Sequence, residues 1–335
     1  MLTPDYLYSV SDDAVFIYSQ LSDDILDDIA RRIVIADYLT PTAEWQLLKL
    51  SQMGSMSGDT VKYLANATGK SKREISRIMK NAGVEALKYD DGIYQLAGKT
   101  PTPLFASPAL KAIILQGSDD AMKIIGNYTK SLATMSSKAL GNAMDRAYLQ
   151  IMSGAFSPNT AIRAAVNELA GQGFESIAYP SGSIDRVETV VRRAVTTAVN
   201  QSTAKLTISR MDEMECELVE VSSHSGARPS HSVWQGEIYS RNGRKGRYAD
   251  FVGSTGYGSG DGLCGYNCYH SFFPFFEGLS TRSFSKDPSS QYSGKSNDEV
   301  YEESQKQRKY ERDVRQAKQE CTTLNACLLY TSRCV

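Results

Sequence analysis

Helical periodicity over residues 109–213 constrains this chain more than any other feature. Apolar side chains recur there at three- and four-residue steps, which predicts helices at 109–135, 138–154, 158–172 and about 184–213. At ELVEVSS, residues 217–223, the period changes to the alternation of a β-strand. The chain therefore combines long helices with a smaller β-containing part. The stripe predicted to be buried in the last of these helices consists of Val187, Val191, Ala194, Ala198 and Leu206.

The first hundred residues are also predicted to be mainly helical. Residues 11–38 form an amphipathic helix with acidic side chains on its outer face. Thr40-Pro41 then supplies an N-cap and a first-turn proline for a second helix. LKYDDGIYQLAG, residues 87–98, predicts a short hairpin that turns at Asp91-Gly92.

Residues 61–80, VKYLANATGKSKREISRIMK, have the pattern of a helix-turn-helix. Gly69 can end one helix, and Ser71 with Glu74 can form the capping box of the next. The second helix would then present a basic face to a phosphate backbone. A plain helical hairpin with a solvated basic face explains the same residues. The candidate DNA contacts are Lys72, Arg73, Arg77 and Lys80.

The last third of the chain predicts short strands at 217–223, 236–240 and 269–275, followed by a polar helix at 297–322. That helix carries seven acidic and six basic residues, so it is solvated or held by a partner rather than by a core of its own. The predicted fold class is α+β and predominantly α-helical. The predicted division is an N-terminal helical domain at 1–100, a central helical domain at 101–213, a small Cys/His module at 214–295 and the terminal helix at 296–322.

Composition limits the partners and the compartment. The 335 residues include 37 basic and 38 acidic side chains, so no overall field steers the chain to nucleic acid or to a membrane. We expect no transmembrane helix and no secretory signal, and therefore a chain made in the cytosol with reduced thiols. The end, CLLYTSRCV at 327–335, resembles a translation of two sequencing-adapter ends joined head to head. We expect this segment to be an artefact that replaces the natural carboxyl end.

A cysteine and histidine cluster is the main candidate site. The chain has three histidines, and all lie near GDGLCGYNCYH, residues 260–270. The spacing Cys264-x3-Cys268-x-His270 suits structural zinc, with His224 or His231 as a further ligand if residues 224–231 pack beside 264–270. The alternative is a tight turn in which the cysteines are small buried side chains and His231 bonds to backbone. Zinc is the only cofactor that the sequence suggests.

Two kinds of enzyme could use residues of the same window. In a Cys/His hydrolase, Cys268 would be the nucleophile, His231 the base and Asp261 the orienting group. A metal nuclease needs clustered carboxylates, and Glu237, Asp250 and Asp261 are widely spaced. Neither pattern matches a local signature, so we predict that the chain is not an enzyme.

Two segments in this part of the chain resemble the phage minor capsid protein 2 family. They are HSGARPSHSVWQGEIYS at 224–240 and FVGSTGYGSGDGLCGYNCYHSFFPFFEG at 251–278. The helix at 191–214 and the closing polar helix also fit the family's pattern, and more distantly the chain is similar to phage head-morphogenesis domains. The residues that match the signature are Arg228, Pro229, Ser230, His231, Trp234, Gly236, Cys264, Asn267, Cys268 and His270.

The resemblance implies a structural minor head protein of a tailed-phage virion. It implies a place at the portal and the capsid interior, with a role in head assembly or DNA delivery. The expected partners are the portal protein and major capsid or scaffold subunits, with phage DNA as a further candidate and no membrane. The family supplies no catalytic residues to transfer, so the signature residues are expected to hold the small module together, with or without zinc.

Overall fold

The computed structural model describes residues 1–35, 42–130, 132–172, 175–178 and 184–333. The chain forms two compact units, each built from three separate segments. The first unit contains residues 1–14, 72–123 and 192–308, and the second contains 15–71, 124–191 and the residues from 309 onward. The domain boundaries predicted from the sequence stay a prediction.

Helices dominate the described residues. The helices predicted to begin near residues 11, 109, 158, 184 and 297 are confirmed, whereas Thr40-Pro41 lies outside the described residues. The helix predicted at 138–154 begins earlier, at Leu132, because the helix before it ends at Thr129 and not at residue 135. None of the described helices is both long and apolar enough to cross a bilayer. The helices are α1 Pro4–Ser9, α2 Asp12–Ile35, α3 Thr42–Leu96, α4 Pro108–Thr129, α5 Leu132–Met152, α6 Pro158–Gln172, α7 Val187–Glu213, α8 Pro229–Ser232, α9 Phe251–Thr255, α10 Pro288–Ser293 and α11 Asn297–Arg333.

The strands form two small sheets. In the first unit, the sheet order is β5-β4-β3-β6, with β3 antiparallel to both β4 and β6 and with β4 parallel to β5. In the second unit, β1 and β2 form an antiparallel pair where the sequence predicted only a break between two helices. The fold is α+β and predominantly α-helical, as predicted. The strands are β1 Glu175–Ala178, β2 Ile184–Arg186, β3 Leu218–Val221, β4 Ile238–Ser240, β5 Ala249–Asp250 and β6 Phe272–Phe275.

The four-stranded sheet shares its core with helices of the first unit. Its strands are too short to bury a large apolar surface alone, and they pack against the carboxyl-terminal half of α7 and the end of α3. The module that contains the two cysteines is therefore part of a larger core. That cluster of buried side chains is Tyr94, Ala204, Met211, Met214, Cys216, Val219, Val221, Trp234, Tyr239, Phe251, Leu263, Cys264, Cys268 and Phe272.

The predicted helix-turn-helix is wrong. Residues 61–80 lie inside the single helix α3, which continues through Gly69 without a turn. The Ser71 hydroxyl donates to the Thr68 carbonyl at 3.1 Å within the helix, so it does not cap a new one. A glycine inside a helix costs about 1 kcal/mol, which burial of the flanking residues Ala67 and Ile75 offsets.

The predicted hairpin at residues 87–98 is also wrong, because α3 runs on to Leu96. The two acidic residues that suggested a turn have partners in the folded unit. Asp90 contacts the amino terminus at 3.1 Å and accepts from the Thr207 hydroxyl at 2.8 Å. Asp91 pairs with the fully buried Arg210 at 2.9 Å. These long-range contacts outweigh the local preference of Asp-Gly for a turn.

Candidate functional site

The first segment of the candidate site is the turn that contains Arg228, Pro229, Ser230 and His231. Pro229 opens α8, where its fixed φ suits the first helical position and its missing N–H is not needed. The turn leaves Ser230 exposed and buries His231, which is only 3% exposed. The Arg228 guanidinium lies 3.5 Å from the carbonyl of Tyr266 in the second segment. The two segments therefore lie side by side.

The second segment, GDGLCGYNCYH, is a series of tight turns. Cys264 and Asn267 both adopt a left-handed backbone, with φ values of 60° and 53°. Glycine is required at position 262, where two backbone segments lie close together, because a Cβ there would lie 2.0 Å from the carbonyl oxygen of Gly256. These turns bury Cys264 and Cys268 almost completely.

Three of the five predicted metal-ligand residues meet in the structure. One ligand-type atom from each of His231, Cys268 and His270 lies within 4.8 Å of the others, and all three side chains are buried. We call these residues the Cys/His trio. Cys264 and His224 lie beside the trio: Cys264 Sγ donates to the His270 carbonyl at 3.8 Å, and the His224 ring is 4.4 Å from the His270 ring.

Hydrogen bonds fix the proton positions on two of the imidazoles. His231 Nε2 lies 2.8 Å from the carbonyl oxygen of Asp261, which can only accept, so this nitrogen carries the proton. His270 Nε2 likewise donates to Gln235 Oε1 at 3.0 Å, while the Gln235 amide nitrogen faces the Lys286 carbonyl at 3.4 Å. In both neutral rings the lone pair is therefore on Nδ1. His270 Nδ1 lies 3.7 Å from Cys268 Sγ.

Burial keeps the cluster uncharged near neutral pH. It lowers the pKa of His270 well below the ordinary value, and it lowers the pKa of His231 and His224 as well. Burial also raises the pKa of the Cys268 thiol, and it raises that of Cys264 well above its usual range. Neutral imidazoles beside protonated thiols can form a hydrogen-bonded core or bind a soft metal ion.

The arrangement does not resemble an activated nucleophile. A reactive cysteine needs a lowered pKa and access to substrate, whereas Cys268 is 2% exposed and its pKa is raised. The predicted orienting group also differs, because His231 contacts the main-chain oxygen of Asp261 and the Asp261 side chain is exposed.

Two polar residues that organise the cluster were missed in the sequence. Asn200 of α7 is fully buried, and its amide donates to the carbonyls of Cys268 at 2.8 Å and His270 at 3.0 Å. Gln235, next to Trp234, accepts from His270 and from the backbone N–H of His224 at 3.1 Å. A second stripe of small polar side chains on α7 was the available signal. Its buried members are Thr196, Asn200, Thr203 and Thr207.

Two further signature residues, Trp234 and Gly236, are tightly packed in the same module. The Trp234 ring packs 4.7 Å from the His231 ring and 4.9 Å from the His270 ring. Gly236 has a φ of 64°, and a Cβ at this position would lie 2.4 Å from the carbonyl oxygen of Ser285. Glycine is therefore required there for both conformation and space.

The predicted DNA contacts are exposed side chains on one continuous helix. Arg77 forms ion pairs with Glu74 and with Asp13, the latter at 2.8 Å, so much of its charge is already paired. Lys80 lies over the ring of Phe105 at 5.2 Å. Lys72 and Arg73 are exposed on the same helix. Without a turn, these residues do not form a recognition helix.

The fold is one of long helices that carry a small sheet module, and the Cys/His cluster of that module is part of its core. Residues 2–327 match the family described as Phage minor capsid protein 2, and the chain belongs to that family. It is 21% identical over 288 residues to a protein named "Structural protein" from Lactococcus phage LL-H, an alignment that covers 82% of this chain and 76% of that relative. No solved structure matches the chain.

Proposed function

We propose that this minor capsid protein is located at the portal vertex, on the inner side of the capsid, and acts there in head assembly or DNA delivery. Its partners are portal subunits together with major capsid or scaffold subunits. Membership of a minor capsid family supports a place in the virion, and the surface of α11 supports a role in assembly.

The observation that carries the proposal is the solvated middle of α11. Every residue from 306 to 315 is exposed, which spans almost three turns of helix. Tyr310 and Val314 are 67% and 53% exposed, and their spacing puts them on the same face. A helix that is solvated on all sides gains little from its own chain, so this surface suits binding to a partner.

Charge indicates what kind of partner surface would fit. Residues 306–318 contain only two acidic side chains, Glu311 and Asp313. A partner with an acidic surface would therefore complement this segment and increase the association rate. The six basic residues of the segment are Lys306, Arg308, Lys309, Arg312, Arg315 and Lys318.

The test is incorporation into proheads, which have not yet received DNA. The wild-type chain is expected to co-purify with portal protein in proheads, and a variant with Lys309→Glu and Arg312→Glu is expected to be lost from them. The matched control reverses two exposed charges on α4, Lys111→Glu and Lys123→Glu, and is expected to be incorporated normally.

Absence of the wild-type chain from proheads and virions would refute the proposal. Equal incorporation of the two charge-reversed variants would refute the role of α11. A chain that enters only DNA-filled particles, and leaves them after nuclease treatment, would instead indicate binding to DNA.

A further inference from the structure

We propose that His231, Cys268 and His270 bind a zinc ion in the first unit, between the turn of α8 and the turns that precede β6. The trio is a narrower set than the five residues that sequence spacing suggests. It is chosen by geometry, because these three side chains bring ligand-type atoms within 4.8 Å of one another.

The ligand types and their spacing suit zinc. Two imidazoles and one thiolate are a borderline-soft set, and zinc is bound at about 2.0–2.1 Å by nitrogen and about 2.3 Å by sulfur. In a tetrahedral site these bond lengths place nitrogen and sulfur roughly 3.6 Å apart. Cys268 Sγ and His270 Nδ1 are 3.7 Å apart, so this edge of the tetrahedron is already formed.

The hydrogen bonds around the trio are those of ligating histidines. A metal-bound histidine usually donates its other N–H to a carbonyl or carboxylate, which fixes the ring and its tautomer. His231 and His270 do so through Nε2, to the Asp261 carbonyl and the Gln235 side-chain oxygen. Their Nδ1 lone pairs are thereby left for the metal.

Zinc binding replaces one proton. The Cys268 S–H bond breaks, the sulfur keeps the electron pair and binds Zn²⁺, and the proton passes to water. No oxidant or reductant is involved. Cys264 lies beside the site rather than in it, because its sulfur contacts the His270 carbonyl at 3.8 Å and is not one of the three ligand-type atoms that lie within 4.8 Å of one another.

The first experiment measures zinc in the full chain purified without chelator. We expect about one zinc per chain in the wild type, and a loss to near background in Cys268→Ser and His231→Ala. Cys216→Ser is the matched control and should keep its zinc. Cys216 is another buried free thiol, and its sulfur contacts the carbonyls of Leu218 and Phe275.

A second measurement uses the wild-type chain, so it does not depend on whether the ligand variants fold. Cobalt added to the metal-free wild type should give intense visible bands of a tetrahedral site and a thiolate-to-cobalt charge-transfer band. Gln235→Ala should retain these bands and weaken zinc affinity by about 10- to 100-fold, because Gln235 orients His270 and does not bind the metal itself. Wild-type chain that contains no zinc and shows no charge-transfer band would overturn the proposal.

Discussion

Asn200→Asp is the substitution that most directly tests how the Cys/His cluster is held. Asn200 is fully buried on α7, and its amide nitrogen donates to the carbonyls of both Cys268 and His270. Aspartate has almost the same shape but places an oxygen where the amide nitrogen was. The substitution therefore removes the donor from two buried carbonyls without creating a cavity.

The expected cost follows from those two acceptors. The Cys268 carbonyl loses its donor, and a buried polar group left without its partner costs about 1–3 kcal/mol. The His270 carbonyl keeps the thiols of Cys264 and Cys268 as weaker donors, so it adds less to the cost. With a urea dependence of about 2 kcal/mol per molar, the unfolding midpoint should fall by at least about 0.5 M. An ionised aspartate would also repel the same carbonyls. The free-energy cost of the substitution should therefore not fall below this range.

Trp234 makes the measurement specific, since it is 6% exposed and its ring lies 4.9 Å from that of His270. Urea unfolding is followed by Trp234 fluorescence in a Trp45→Phe background, so that a single tryptophan reports on the module. Asn297→Asp is the control, because Asn297 also donates to a carbonyl, that of Ala227 at 2.7 Å, but is only partly buried. A midpoint change below about 0.3 M for Asn200→Asp would refute the reasoning.

Three further predictions concern single positions. Gly69→Ala should raise the free energy of unfolding, measured in urea, by about 0.5–1 kcal/mol, because Gly69 is helical and has open space around it. A lower free energy of unfolding would contradict the continuous helix α3. Gly236→Ala should lower the melting temperature more than Gly243→Ala, because both have positive φ but only Gly236 approaches backbone, at Ser285; equal losses would contradict this contact. Burial raises the pKa of Glu220 above its ordinary value, so its stabilising contribution is greatest at low pH and is lost as pH rises through the raised pKa. Glu220→Gln should therefore flatten the pH dependence of urea unfolding above pH 4.5, and an unchanged slope would count against it.

The helices could be predicted because burial imposes a period on the sequence. Every residue of the predicted stripe of α7, such as Val191, Ala194 and Leu206, is buried in the structure. The strand β3 was predicted from the alternation in ELVEVSS, although all four of its residues are buried and the polar Glu220 is one of them. Both predictions used only the local pattern of apolar and polar residues, which can be read from a single sequence.

The errors arose where distant contacts decided between local alternatives. Gly69 and Asp91-Gly92 are local turn signals, yet α3 continues through both. At Asp91 the reason is its ion pair with the buried Arg210, which lies far away in the sequence. Asn200 was missed for the same reason: a polar residue in a helix is expected at the surface, unless it satisfies backbone that arrives from elsewhere in the chain. The second stripe of small polar side chains on α7 was a local signal, but it does not show which carbonyls Asn200 meets.

The way the module is packed also predicts how it would respond to loss of the proposed zinc ion. A zinc finger unfolds without zinc because it has no other core, whereas here Cys264 and Cys268 lie in a cluster shared with α3 and α7. Hydrogen bonds from Asn200 and to Gln235 further hold the turns without any ion. Chelation should therefore leave the chain folded at room temperature, with unchanged circular dichroism and Trp234 emission. The melting temperature should still fall, because a ligand present at 100 times its Kd stabilises a fold by about 2.7 kcal/mol. Unfolding of the module on chelation would show that the shared core is insufficient, and an unchanged melting temperature in zinc-containing protein would show that the ion does not bind at this cluster.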